Sequence, residues 1–89
     1  MPDPHVPTPA DTDLRRIFGG RVREHRVRRG LSQEHLADLA GLDRTYVSGV
    51  ERGRRNLSLR NICRLAAALG IDPAVLVAGL ILAAETGDD

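Results

Sequence analysis

The sequence predicts an all-α domain made of five short helices. No stretch alternates polar and apolar residues as a strand does, and the aromatic residues that strands favour are limited to one Phe and one Tyr. Residues that start and stop helices, in contrast, recur at short intervals along the chain. Because the linkers between such helices are short, we expect the helices to pack into one compact domain.

The first helix is expected over about residues 14–29. Phe18 and Val22 form its inner face, and Gly30 can end it in a left-handed conformation. The preceding residues 1–13 contain four of the five prolines, and we interpret them as a disordered arm.

The second and third helices are expected on either side of Gly41, which reaches positive φ at little steric cost. Ser32 can cap the second helix and Asp43 can cap the third, because both side chains can accept a backbone hydrogen bond. Gly53 ends the third helix. The predicted inner residues are Leu36, Leu39 and Ala40 in the second helix, and Val47 and Val50 in the third.

The fourth helix is expected between Ser58 and Gly70, and the fifth begins after it. Asp72 and Pro73 form a favourable N-cap and first position for the fifth helix. Residues 74–84 contain no polar side chain, and we expect a helix that is apolar on all sides. The predicted inner residues of the fourth helix are Leu59, Ile62, Leu65, Ala66 and Leu69.

Charge is distributed unevenly along the chain. Between Arg15 and Arg64 lie all 13 arginines and five acidic residues, an excess of eight positive charges, whereas the two ends carry the other seven acids. We divide the chain into the arm, a domain over residues 14–85 and an acidic tail over residues 86–89. A basic centre favours a polyanionic partner such as nucleic acid, and a solvated charged surface is the alternative.

Other kinds of site find little support in the sequence. His5, His25 and His35 form no metal-ligand pattern, and no Ser–His–Asp order is persuasive. We therefore expect no enzyme activity, no cofactor, no metal and no small-molecule ligand. Cys63 lies in an apolar helical pattern and is interpreted as a packing residue, and a single cysteine fits a reducing compartment such as the cytoplasm. The apolar run of residues 73–84 is too short to span a membrane.

The break at Gly41 between two short helices is typical of a helix-turn-helix. In that arrangement the second helix presents its first outward residues to the major groove of DNA. Arginine can pair with both acceptors of guanine, and threonine can contact the thymine methyl group. The predicted base-reading residues are Arg44, Thr45, Tyr46 and Ser48, of which Tyr46 lies more laterally, near a phosphate or a groove wall.

A second group of polar residues suits contacts to the DNA backbone. Gln33 opens the second helix, whose first turn points at the backbone in this geometry, and the loop after the third helix is rich in arginine. Such contacts position a protein on DNA without reading its sequence. The predicted phosphate-binding residues are Gln33, Arg52, Arg55 and Asn56, and Arg54 belongs to the same loop.

Three segments carry a resemblance to a known family: GLSQEHLA at 30–37, VSGVERG at 47–53 and LAAALGI at 65–71. Over about residues 19–78 the chain resembles the Xre/Cro-type helix-turn-helix family, which implies the compact five-helix fold of phage repressors. The segment LDRTYVSGVERGRRNLSL is similar to the controller proteins of restriction–modification systems. That similarity implies a small homodimer that binds a pseudo-palindromic operator near its own promoter and regulates transcription.

The resemblance also implies roles for individual residues. It assigns Arg26 and Glu51 to a structural pair that joins the first helix to the third. Gly49 departs from the phage repressors, which often have a long base-reading side chain at this place, so DNA shape is expected to contribute more to recognition. His25 replaces a leucine of the family, and we expect it to be half-buried.

The apolar fifth helix needs burial on more than one face. A twofold dimer is the simplest source of a second surface, and packing within the monomer is the alternative. An antitoxin or a phage-type repressor of the same fold is an alternative function, and a protein-interaction module that does not bind DNA is a further one. The predicted dimer contacts are Val77, Leu80, Ile81 and Ala84.

Overall fold

The computed structural model describes residues 9–80 of the chain. This range contains five α-helices and no strand, which confirms the predicted all-α fold. None of these helices has the length and the apolar character that a membrane span requires. The helices are α1 (Pro9–Arg28), α2 (Gln33–Ala40), α3 (Arg44–Glu51), α4 (Leu59–Leu69) and α5 (Pro73–Val77).

Helix α1 begins at Pro9, five residues before the predicted start. A proline suits the first turn of a helix, because the backbone N–H that it lacks would have no partner there. Asp11 adds a negative charge near the positive end of the helix dipole. Residues 9–13 therefore belong to α1 and not to a disordered arm. The rest of the predicted arm and the acidic tail lie outside the described residues.

All five helices contribute buried side chains to a single core. Phe18 and Val22 of α1 are buried as predicted, and so are Val47 and Val50 of α3. Full burial of one such side chain contributes about 1.5 to 3 kcal/mol, so the core is the main source of stability. The buried residues are Phe18, Val22, Leu36, Ala37, Ala40, Val47, Val50, Leu65, Ala66, Leu69 and Leu76.

Three residues that were expected in the core are exposed instead. Leu39 is 55% exposed, Leu59 is 76% exposed and Cys63 is also exposed. Successive residues of a helix are rotated by about 100°. Leu39, next to the buried Ala40, is therefore turned away from the core, and Cys63, two residues before the buried Leu65, faces nearly the opposite way. Leu59 is the first residue of α4 and precedes the part of that helix that reaches the core.

The link between α2 and α3 is a tight turn at Gly41. Its φ of 68° lies in the left-handed region, which glycine enters without the steric cost of a side chain. The N–H of Leu42 donates to the carbonyl of Ala37 at 2.9 Å and closes the end of α2. At the start of α2, the hydroxyl of Ser32 accepts a hydrogen bond from the N–H of His35 at 3.0 Å, which confirms the predicted cap.

Helix α5 is shorter than predicted. It ends at Val77, and Gly79 adopts a φ of 65° where a longer helix was expected. The guanidinium of Arg21 in α1 stabilises this ending, because its Nη1 donates to the carbonyls of Leu76 at 3.2 Å and Ala78 at 2.7 Å. These bonds satisfy carbonyls that lack a partner at the end of a helix. The contact of Arg21 also fixes the end of α5 against α1.

A largely buried ion pair joins α1 to α3. In it, Arg26 donates from Nε to Oε2 of Glu51 at 2.7 Å and from Nη2 to Oε1 at 2.9 Å. Arg26 also donates to the carbonyl of Leu31 at 2.8 Å, and the amide of Gln33 donates to Glu51 at 3.2 Å. The side chains of Arg26 and Glu51 are only 12% and 2% exposed. Hydrogen bonding to Glu51 outweighs burial and raises the pKa of Arg26.

Replacing Arg26 by alanine should lower the free energy of unfolding by about 3 to 5 kcal/mol, because the carboxylate of Glu51 would stay buried without its partner. Arg28→Ala is the matched control. Its ion pair with Glu24 is exposed, so we expect a loss below about 1 kcal/mol. Urea unfolding followed by circular dichroism measures both losses. Equal losses in the two variants would contradict the structural role of Arg26.

Candidate nucleic-acid interface

Helix α3 turns one face to the core and the other to solvent. Val47 and Val50 are buried, whereas Arg44 and Thr45 in its first turn are exposed. Neither exposed side chain forms a hydrogen bond or an ion pair with another residue in the range 9–80. Asp43 occupies the N-cap position of α3, but its side chain makes no capping hydrogen bond, contrary to expectation. The first turn of α3 therefore presents two free hydrogen-bonding side chains to the solvent.

Tyr46 contacts α4 and the loop after α3. Its side chain is half-buried, and its hydroxyl accepts a hydrogen bond from Nδ2 of Asn61 in α4 at 3.0 Å. The guanidinium carbon of Arg55 lies 5.5 Å from the centroid of the ring, within the range of a cation–π contact. Tyr46 therefore bridges α3, α4 and the loop between them, and its hydroxyl proton is still available to an acceptor. Ser48, a predicted base-reading residue, is half-buried as well.

Asn61 is a contributor to this surface that the sequence analysis missed. It is separated from Tyr46 by 15 positions and lies on a different helix. The spacing rules for side-chain pairs apply within one helix, so no pattern in the sequence relates the two residues. Only the packing of α4 beside α3 brings the amide to the phenol.

Gln33 is the first residue of α2 and is half-buried. Its Nε2 donates one hydrogen to Oε1 of Glu51 at 3.2 Å. An amide nitrogen carries two hydrogens, so the second can be donated to an acceptor outside the protein. The bond to Glu51 thus holds Gln33 in place next to α3.

The loop after α3 gathers positive charge beside the end of that helix. The Nε of Arg52 donates to the carbonyl of Ser48 at 3.3 Å, and the N–H of Arg54 donates to the carbonyl of Gly49 at 2.9 Å. These bonds fold the start of the loop back onto the last turn of α3. The exposed polar residues of the loop are Arg52, Arg54, Arg55 and Asn56.

The chemistry of this surface is hydrogen bonding and positive charge. Within the described range, no group of three or more His, Cys, Asp or Glu residues could hold a metal ion. His25 is half-buried, as expected. Exposed arginines, an amide and hydroxyl groups are the kinds of side chain that bind phosphates and base edges of DNA.

The family model HTH_3, described as helix-turn-helix, matches residues 22–76, which include all of α2, α3 and α4. The chain belongs to the HTH_3 family. This membership confirms the predicted resemblance to helix-turn-helix regulators.

The chain is also similar to individual transcription factors and controller proteins. The chain is 54% identical, over 63 residues, to a hypothetical transcription factor of Neisseria meningitidis, and the match covers 71% of this chain and 59% of that protein. It is 60% identical to the restriction–modification controller protein C.AhdI from Aeromonas hydrophila, whose crystal structure superimposes with a TM-score of 0.68 over 75% of this chain and 97% of that chain. The chain therefore spans less than two thirds of the Neisseria protein.

A further relative was solved together with DNA. This chain is 32% identical to the controller protein C.Esp1396I in the structure of its tetramer with its natural 35 base-pair operator. The TM-score is 0.69, and the match covers 81% of this chain and 95% of that chain. The similarity to C.AhdI and C.Esp1396I confirms the predicted likeness to restriction–modification controllers.

The hydrogen bond between Tyr46 and Asn61 should be measurable as a coupling energy. Tyr46→Phe, Asn61→Ala and the double variant form a cycle in which we expect a coupling of about 0.5 to 1.5 kcal/mol in the free energy of unfolding. Chemical unfolding of the four proteins measures it. Strictly additive losses would show that the bond contributes nothing to stability.

Proposed function

We propose that this HTH_3 protein is a sequence-specific transcriptional regulator that acts as an autoregulatory controller of a restriction–modification system. The observation that carries the proposal is the two-faced helix α3, which buries Val47 and Val50 and leaves Arg44 and Thr45 free. The similarity to C.AhdI supports the controller role, and the operator complex of C.Esp1396I supports DNA as the partner. We assign the protein no catalytic activity, and we place it in the cytoplasm because its proposed partner is DNA.

In this proposal α3 enters the major groove and reads base edges. Arg44 can donate two hydrogen bonds to O6 and N7 of one guanine, and Thr45 can contact a thymine methyl group or form a hydrogen bond. Both side chains are exposed in the first turn of α3, where a recognition helix contacts bases. Tyr46 and Ser48 are half-buried, so we give them supporting contacts at the groove wall.

Phosphate contacts set the register of the protein on DNA. Gln33 can donate its second amide hydrogen to one strand, while the loop after α3 supplies guanidinium groups and the amide of Asn56. Arg52 and Arg55 carry the charge that attracts the duplex, so binding should weaken as salt concentration rises. These contacts do not depend on the base sequence.

We also propose that the protein binds a pseudo-palindromic operator as a homodimer. Val75 and Val77 of α5 are 43% and 40% exposed. A second copy would remove this apolar surface from water, and a twofold dimer places two recognition helices about 34 Å apart, one turn of DNA. The predicted dimer contacts Ile81 and Ala84 lie outside the described residues.

Arg44→Ala should weaken binding to the cognate operator by about 1 to 3 kcal/mol while leaving binding to random DNA nearly unchanged. The measurement is a titration of the DNA upstream of the protein's own gene, and of random DNA of equal length, at one fixed salt concentration. Saturation at two protein chains for each operator, which contains two half-sites, would support the dimer. An equal loss on both DNAs would contradict base reading by Arg44.

Arg55→Ala should weaken binding to both DNAs and reduce the slope of log K against log salt concentration by about 0.9, because one phosphate contact is lost. Arg29→Ala is the control of equal charge. The guanidinium of Arg29 lies against Gly70 at the C-terminal end of α4, whereas Asn61 and the contacts of Tyr46 lie near its N-terminal end. An unchanged slope in Arg55→Ala, or an equal decrease in Arg29→Ala, would remove Arg55 from the phosphate contacts.

A further inference from the structure

Gly49 lies in the middle of α3 and is buried beneath the side chain of Arg55. A Cβ atom at this position would lie 3.1 Å from Cγ and 3.2 Å from Nε of Arg55. Both distances are shorter than ordinary van der Waals contacts of about 3.5 to 4.0 Å. The aliphatic stem of Arg55 therefore runs across α3 at Gly49, and a Cβ atom there would have to displace it by a few tenths of an ångström.

Glycine is an unfavourable residue for the interior of a helix. It lowers helix stability relative to alanine, because more backbone freedom is lost when it becomes ordered. The φ angle of Gly49 is not positive, so the backbone conformation at this position does not require glycine. The close approach of Arg55 is the feature of the structure that favours glycine at this position.

The same arrangement holds the charged end of Arg55. Its guanidinium lies over the ring of Tyr46, whose hydroxyl is held in turn by Asn61 of α4. The stem of Arg55 therefore lies on Gly49, and its guanidinium lies over Tyr46. A long side chain that is held in one place loses less conformational entropy when it binds a partner.

We propose that Gly49 is a positioning residue of the DNA interface, and that it acts by seating the stem of Arg55 across α3. The inference rests on the proposed function, in which Arg55 binds a DNA phosphate. Gly49 itself needs no contact with DNA. A larger residue at position 49 would lift the stem of Arg55 and move its guanidinium away from Tyr46, so the phosphate contact would have to be made by a mobile side chain.

The test is a double-mutant cycle on operator DNA. Gly49→Ala should weaken binding by about 3- to 10-fold, the size expected when one side chain has to be immobilised, and Gly49→Val should weaken it further. Gly49→Ala should leave the melting temperature nearly unchanged, because its gain in helix propensity offsets the weakened contact between Arg55 and Tyr46. In the background of Arg55→Ala, both substitutions at Gly49 should have no additional effect on binding.

Gly20→Ala is the matched control. Gly20 is also a helical glycine, but it is exposed and a Cβ atom there would have no neighbour within 4 Å. We expect it to bind operator DNA like the unmodified protein. Additive losses for the Gly49 and Arg55 substitutions would indicate a direct clash between the new side chain and DNA, and would overturn the proposal.

A second measurement needs no DNA. The ring-current shift of the Arg55 side-chain protons in NMR spectra, taken as the difference between the unmodified protein and Tyr46→Leu, reports their contact with the Tyr46 ring. We expect this shift to be reduced in Gly49→Ala and lost in Gly49→Val, and an unchanged shift would overturn the proposal. If Arg55→Ala binds DNA normally, the proposed phosphate contact fails and this inference fails with it. If Arg55→Ala binds weakly but both Gly49 variants bind normally, only this inference fails.

Discussion

The bidentate ion pair between Arg26 and Glu51 is the contact on which the remaining geometry depends. A carboxylate that is only 2% exposed is costly to bury unless its oxygens are paired, and here both accept hydrogen bonds from Arg26. The same guanidinium donates to the carbonyl of Leu31, and Glu51 also accepts from Gln33. Helices α1, α2 and α3 therefore meet at one polar centre, which sets the orientation of α3 relative to the core.

That orientation divides the residues of α3 between a buried face and a face open to solvent. The apolar pair Val47 and Val50 is buried, so Arg44 and Thr45 project into solvent on the other face. Gln33 of α2 has both an internal bond and an open donor, because one amide hydrogen bonds to Glu51 and the second can be donated to an external acceptor. The side chain that would touch DNA at the start of α2 is thus held by the ion pair that holds α3.

The number and order of the helices and most of their limits could be predicted, because helix capping depends on local chemistry. Ser32 and Ser58 cap their helices through backbone N–H groups three residues later, and glycine in the left-handed conformation ends α2 and α4. The errors have physical causes. Leu39 is exposed because it lies on the side of α2 turned away from the core, and Leu59 is exposed because it lies in the first turn of α4, before that helix reaches the core. The early end of α5 is stabilised by hydrogen bonds from Arg21, which comes from a distant part of the chain.

The sequence by itself determined the helices, the helix-turn-helix and the polar, basic character of the surface around α3, since these follow from residue type and from spacing within a few turns. Only the tertiary structure decided which polar residues are free and which are held. Tyr46 is bonded to Asn61 and covered by Arg55, and the stem of Arg55 lies on Gly49. These contacts join residues of different helices and a loop. Their distances depend on how α3, α4 and the connecting loop pack, which no local pattern specifies.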